Sequence, residues 1–305
     1  MNNLETLNNR YAIADQLRFK EAEESLVVAE ISNALSSATI CLQGAHVMAW
    51  QPVGTSAPVI WLSQLAKPTP GKSIRGGVPV CWPWFGAHPT ETGFPAHGYA
   101  RTQPWVVTGT RALADGSTEI DMMLKHSEAT RTTWPHPCKV EILFTVGKTL
   151  KIALTTTNLD DVDFVIGEAL HTYFHVGDIA EVRVLGLDGC EYMDKADGGM
   201  RRQQQGAIVF TDETDRVYVN TETECVIEDP RLGRRIRIAK SGSRSTVVWT
   251  PWREKADKMG DFGADGWREM VCVESANALE NTVTVKPDGK HTLAVEYAVE
   301  PACPA

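Results

Sequence analysis

Two ionisable residues stand inside apolar runs of this 305-residue chain: His171 in GEALHTYFHVGDI and Glu274 in REMVCVESANA. A carboxylate at the end of a buried strand is partly desolvated, which raises its pKa toward neutrality and suits a general base. An imidazole titrates near neutral pH and can supply the matching acid. If the two meet, their attraction opposes the upward shift of the carboxyl, while apolar burial favours it. Each also has a plainer reading. Glu274 can open a loop and face water, and a strand histidine is more often a core residue bonded to backbone. His175 follows four positions on, and on a continuous strand it shares a face with His171 and Tyr173. No third ligand stands near that pair, so no catalytic metal is expected. Asp215, in FTDETDRVYVN, can orient a histidine or bind a hydroxyl, or merely accept backbone hydrogen bonds in a turn.

The stretch from Lys72 to Trp105 reads KSIRGGVPVCWPWFGAHPTETGFPAHGYARTQPW. It sets Arg75, Arg101, His88, His97 and three tryptophans among many Gly and Pro residues, so it cannot be regular helix or strand throughout. Flat aromatic faces and forked guanidinium donors suit a polar, ring-shaped, anionic ligand. The alternative is a rigid loop whose tryptophans serve the core. A second irregular stretch, TVVWTPWREKADKMGDFGADGWREM, places Trp249, Trp252 and Trp267 beside Lys255 and Lys258. It fits carbohydrate stacking, and a packed loop equally.

What must position these groups is mostly strand. Residues 5–20 read as a short amphipathic helix, within an N-terminal extension over residues 1–24. From residue 25 to 305 the period is two, over roughly fifteen short Val-, Ile- and Thr-rich runs split by turns. One of these runs is Asp163–Tyr173 and another Glu269–Glu274. Helical signals after residue 25 are confined to Ser63–Leu65 and Ser127–Thr130. So many strands without alternating helices predict an all-β class, a large antiparallel β-sandwich with few short helices, in one domain. No GxGxxG or P-loop occurs, which removes the nucleotide argument.

Composition narrows the function. Hydrophobic residues are 43% of the chain, enough for a sizeable core. The net charge of −9 argues against a nucleic-acid partner, though a few local cations can still bind a small phosphate ester. Seven scattered cysteines make neither a zinc motif nor a disulfide framework. No signal peptide and no membrane-spanning run is evident, so a cytoplasmic protein without a membrane partner is expected.

IRGGVPVCWPWFG, AHGYAR, LHTYFHV, ETDRVY, VVWTPWREKADKMGDF and VCVESA occur in an order that resembles the aldose 1-epimerase (mutarotase) superfamily. Within it the chain resembles the hexose-6-phosphate mutarotases, over about residues 25–300. The resemblance implies a galactose-mutarotase-like supersandwich. It implies that His171 and Glu274 are the catalytic acid and base, and that Arg75, His97, Arg101 and Asp215 bind substrate. Arg75 and Arg101 are expected near a 6-phosphate. A monomer that acts on a sugar phosphate without cofactor or metal is expected. Three other readings stay open at this point: a mutarotase of free hexoses, a non-catalytic carbohydrate-binding protein on the same fold, and a glycoside hydrolase. The last expects a carboxyl pair, where here one carboxyl faces one histidine.

Overall fold

The computed structural model describes residues 3–22 and 25–302. Every pairing between its strands is antiparallel, and two large sheets dominate. One has nine strands and includes the long strands Cys138–Val146, Leu150–Asn158, Arg234–Ser241 and Lys290–Pro301. The other has eight and includes Thr214–Tyr218, Ser245–Thr250, Met270–Asn277, Glu168–Leu170 and Tyr173–His175. One continuous apolar core cluster joins them, with Phe174 edge-on to Tyr297 at 5.1 Å. The β-sandwich expectation holds. A four-stranded sheet, Leu17–Glu21, Val27–Ser32, Ser36–Cys41 and His46–Pro52, completes the N-terminal part. Among the described residues no helix is long and apolar enough to cross a membrane.

The N-terminal helix is shorter than expected. It covers Leu4–Tyr11, and Leu17–Glu21 is a strand paired in register with Val27–Ile31. The sequence LRFKE alternates, with Leu17 and Phe19 buried, and that period of two wins over helix. Asn8 fixes the junction by exchanging two 2.8 Å hydrogen bonds with the backbone of Phe19. The boundary expected at residue 24 falls outside the described residues.

The run Asp163–Tyr173 is not one strand. Phe164–Ile166 pairs with Val283–Val285, and Glu168–Leu170 pairs with both Ser275–Asn277 and Val80–Cys81. The chain then breaks at His171 and Thr172, where the His171 amide donates to Pro79 O at 3.0 Å, before Tyr173–His175 pairs with Met270–Cys272. His171 therefore stands at a gap in the ladder instead of inside a strand. Two ties to the strand Lys290–Pro301 of the opposite sheet bracket that gap. The Thr172 hydroxyl lies 2.6 Å from the Tyr297 hydroxyl, and His291 Nε2 lies 2.8 Å from the fully buried carboxylate of Glu168, which also accepts from Asn277.

Burial lowers the basicity of His291, but the hydrogen bond and charge of Glu168 outweigh it and raise its pKa overall. A raised folded-state pKa contributes stability that is full below the unfolded value and is lost as pH rises through the folded one. The melting temperature of the wild type should therefore fall more steeply above neutral pH than that of His291→Gln. Thermal unfolding of both proteins from pH 6 to pH 9 checks this, and parallel profiles would dismiss the tie as a pH-linked contribution.

Candidate active site

Register places the chemistry. Asp215 faces Trp249, Trp249 faces Cys272, Val247 faces Glu274, and Tyr173 faces Cys272 across adjacent strands. Directly paired residues share a sheet face, so all of these project to one side of the eight-stranded sheet. Over that side lies a cavity of about 330 Å³, lined among others by Arg75, Phe85, His97, Arg101, His171, Tyr173, Asp215, Trp249 and Glu274. Its volume is at the small end for ligand sites and suits a monosaccharide derivative. Larger hollows exist elsewhere, of about 480 and 500 Å³, but neither collects such a set of charged groups. The six residues singled out from sequence thus meet in one place.

His171 Nδ1 and Glu274 Oε1 stand 3.3 Å apart. Neither His171 Nδ1 nor Glu274 Oε2 has a hydrogen-bond partner, although both atoms are out of reach of water. The carboxyl is 1% exposed. Burial, reinforced by the charge of Asp215, pushes the Glu274 pKa well above the carboxylate range, against the pull of Lys195 and Arg101. Burial, then His97 and Arg101, pushes His171 well below the usual imidazole value. Desolvation is the largest cause of both shifts, and it favours the uncharged form of each group. His171 stacks on Tyr173 at 5.0 Å and meets His97 edge-on at 5.7 Å.

The Lys72–Trp105 segment forms the opposite wall and serves both purposes considered for it. Trp82, Trp84 and Trp105 are buried in the core, while Arg75, Phe85, His97 and Arg101 line the cavity. The Gly86 amide donates to His97 Nδ1, which leaves the ring proton on Nε2. Burial and three nearby cations, Arg101 first, lower the His97 pKa to about 3, so this ring is neutral. Its backbone is left-handed at φ 66°, and Gly98 follows at 69°. A Cβ on Gly98 would come 2.0 Å from Trp82 O, so only glycine fits that approach.

The cations differ in their commitments. Arg75 Nε bonds both oxygens of Asp261, at 3.1 and 3.0 Å, and its Nη1 donates to the Tyr173 hydroxyl at 2.9 Å. Lys255 is paired with Glu213 at 2.5 Å. Arg101 donates to Ala96 O at 2.8 Å and Lys195 sits over the Phe85 ring, and neither has a carboxylate within ion-pair distance among the described residues. Asp215, its pKa raised by burial against the pull of Lys195 and Lys255, lines the cavity as an acceptor.

Three expectations change. His175 does not share the cavity with His171, because the break at 171–172 separates them; it lines another hollow with Trp61 and Phe262. His88 lies away from the cavity, its Nδ1 accepting from the amides of Thr90 and Glu91. Lys258 does not line the cavity, whereas Lys255 does. Lys195 and Asp261 were not singled out from sequence. Lys195 sits in a polar turn with no local signal, and its amide bond to Asp215 O at 2.7 Å brings it there. Asp261 follows the helix Trp252–Met259, which the sequence reading missed.

Residues 28–298 match the aldose 1-epimerase family. An Escherichia coli (strain K12) protein named "Putative glucose-6-phosphate 1-epimerase" is 41% identical over 255 residues, covering 83% of this chain and 84% of its own. A Cenchrus ciliaris protein of the same name is 36% identical over 82% of this chain and 77% of its own. The crystal structure of a "putative mutarotase" from Salmonella typhimurium superposes with a TM-score of 0.89 at 35% identity, covering 95% of this chain and 96% of that one. The chain belongs to the aldose 1-epimerase family. It is an isomerase, an aldose mutarotase built on the antiparallel sandwich described above.

Gly98→Ala should displace His97 and Arg101 together, costing more than about 1 kcal/mol of stability and most of the activity. Thermal unfolding and an anomer-exchange assay check it, and an unchanged variant would contradict the close approach at Trp82.

Proposed function

We propose that the protein interconverts the α and β anomers of an aldohexose 6-phosphate, glucose 6-phosphate foremost. The observation that carries this reading is the 3.3 Å approach of His171 to Glu274 beneath a cavity where Arg101 and Lys195 have no carboxylate partner among the described residues. The names of the relatives from Escherichia coli and Cenchrus ciliaris point the same way.

In the reaction, the Glu274 carboxylate takes the proton from the C1 hydroxyl while the imidazolium of His171 gives one to the ring oxygen. The C1–O5 bond breaks with its electron pair going to O5, and the C1–O1 bond becomes the aldehyde. Rotation about C1–C2 presents the other carbonyl face. The imidazole then takes the O5 proton, O5 attacks C1, and Glu274 returns its proton to O1. Protons balance at each step: Glu274 exchanges its proton with O1, His171 with O5, and the pair carries one proton in total throughout. After ring opening the carboxyl is protonated and the imidazole neutral. Burial favours the uncharged form of each group, which is the form each holds at that stage. Positioned proton transfer contributes about a hundred- to ten-thousand-fold, adequate for a reaction that proceeds unaided in water.

Arg101 and Lys195 supply donors for the phosphate. Asp215 and His97 serve the sugar hydroxyls. Arg75, already held by Asp261 and Tyr173, forms the fixed edge of the phosphate site.

Glu274→Gln should lose at least about a hundredfold in kcat while still binding sugar phosphate, measured by anomeric NMR exchange and calorimetry. Undiminished turnover would remove Glu274 from the chemistry. Arg101→Met and Lys195→Met should each raise KM for glucose 6-phosphate by about tenfold or more, the effect of losing a charged hydrogen bond, and leave KM for free glucose nearly unchanged. Equal effects on both substrates would make this a mutarotase of free hexoses.

A further inference from the structure

We infer that a thiophilic divalent cation, zinc being the test case, binds at the edge of the sugar cavity through His171 and Glu274, which line it, and Cys272, buried behind them, and that the bound ion blocks turnover. A ring nitrogen of His171, the Cys272 sulfur and a Glu274 oxygen all lie within 4.8 Å of one another, the one such trio among the described residues. Cys272 and Glu274 are alternate residues of the strand Met270–Asn277 and project to the same face. His171 approaches them from the break in the neighbouring ladder.

A second observation points to a ligand here. The Glu274 side chain is buried, lines the cavity, and has an oxygen with no partner, as does His171 Nδ1. Zinc takes sulfur at about 2.3 Å and nitrogen or carboxylate oxygen at about 2.0–2.2 Å. Closing the present spacing onto such an ion takes side-chain rotation within the site. The fourth position opens into the cavity, as in zinc sites that keep one place for water or substrate. A thiolate–imidazole–carboxylate set selects zinc-like ions over magnesium or calcium, which take oxygen ligands. Binding releases the thiol proton to solvent, and thiolate and carboxylate together supply two ligand charges to neutralise the ion. Arg75, Arg101 and Lys195 around the cavity oppose the ion's approach, and those two charges must offset them.

The inhibitory consequence rests on the proposed roles of His171 and Glu274, because the ion occupies both the imidazole lone pair and the carboxylate. The binding does not, so it is read separately. Cobalt(II) added to the metal-free full-length protein should give visible d–d bands and a near-ultraviolet thiolate charge-transfer band. The thiolate band should vanish in Cys272→Ala and disappear when glucose 6-phosphate is added to the wild type. Zinc should inhibit anomer exchange reversibly with EDTA, and Cys272→Ala should need about tenfold more zinc or greater. A thiolate band without inhibition would leave the site standing and count against the catalytic assignment. Absence of that band in the wild type, or its persistence in Cys272→Ala, would overturn the site. If Cys272→Ala does not fold, the same spectra of Cys272→Ser and of Glu274→Gln decide, both being expected to weaken cobalt binding.

Discussion

Keeping the Glu274 carboxyl away from water, with one oxygen unpartnered, costs free energy that the surrounding sandwich must offset. That constraint shapes the whole site. A carboxyl in water would be too weak a base to trade protons with a sugar hydroxyl on equal terms. In this dry position its pKa is raised by burial, with His171 Nδ1 3.3 Å away. The apolar run Met270–Val273 and the rings of Tyr173 and Trp249 provide the low dielectric, while Asp215 adds a like charge in the same direction.

A pair poised in this way is useful only if its geometry is held. The gap in the ladder at His171 gives the imidazole its direction, and a gap is a weak place in a sheet. Two polar ties to the opposite sheet compensate on either side of it. Glu168, three residues before His171, meets His291, and Thr172, one residue after, meets Tyr297. Asn277, three residues past Glu274, joins the first tie, so the segments carrying His171 and Glu274 are both anchored to the same strand of the second sheet. The His171–Glu274 separation is thereby tied to packing between the sheets.

The charge distribution separates solubility from recognition. The chain carries a net charge of −9, yet its cavity gathers Arg75, Arg101, Lys195 and Lys255. Two of these are neutralised within the protein by Asp261 and Glu213. The remaining two, Arg101 and Lys195, present donors to whatever enters, so a local cationic edge exists despite the mean charge of the surface.

Much of this was legible in the amino-acid sequence. The period of two along most runs determined an all-β sandwich, because alternation is all that a half-buried strand requires. The ionisable residues inside apolar runs marked His171 and Glu274, because burying a charge is expensive enough to leave a visible anomaly. Local reading failed where the deciding contact is distant. The run around His171 looked like one strand, yet its partners change from Val283–Val285 to Val80–Cys81 and then to Met270–Cys272, and each change breaks the ladder. That break, invisible in the alternation, decides that His171 faces the cavity and His175 does not. Lys195 carries no local signal, and only its backbone bond to the strand of Asp215 brings it in. The direction of each pKa shift was likewise undecidable from sequence, since attraction and desolvation act in opposite directions and only the packed structure shows how deeply both groups are buried.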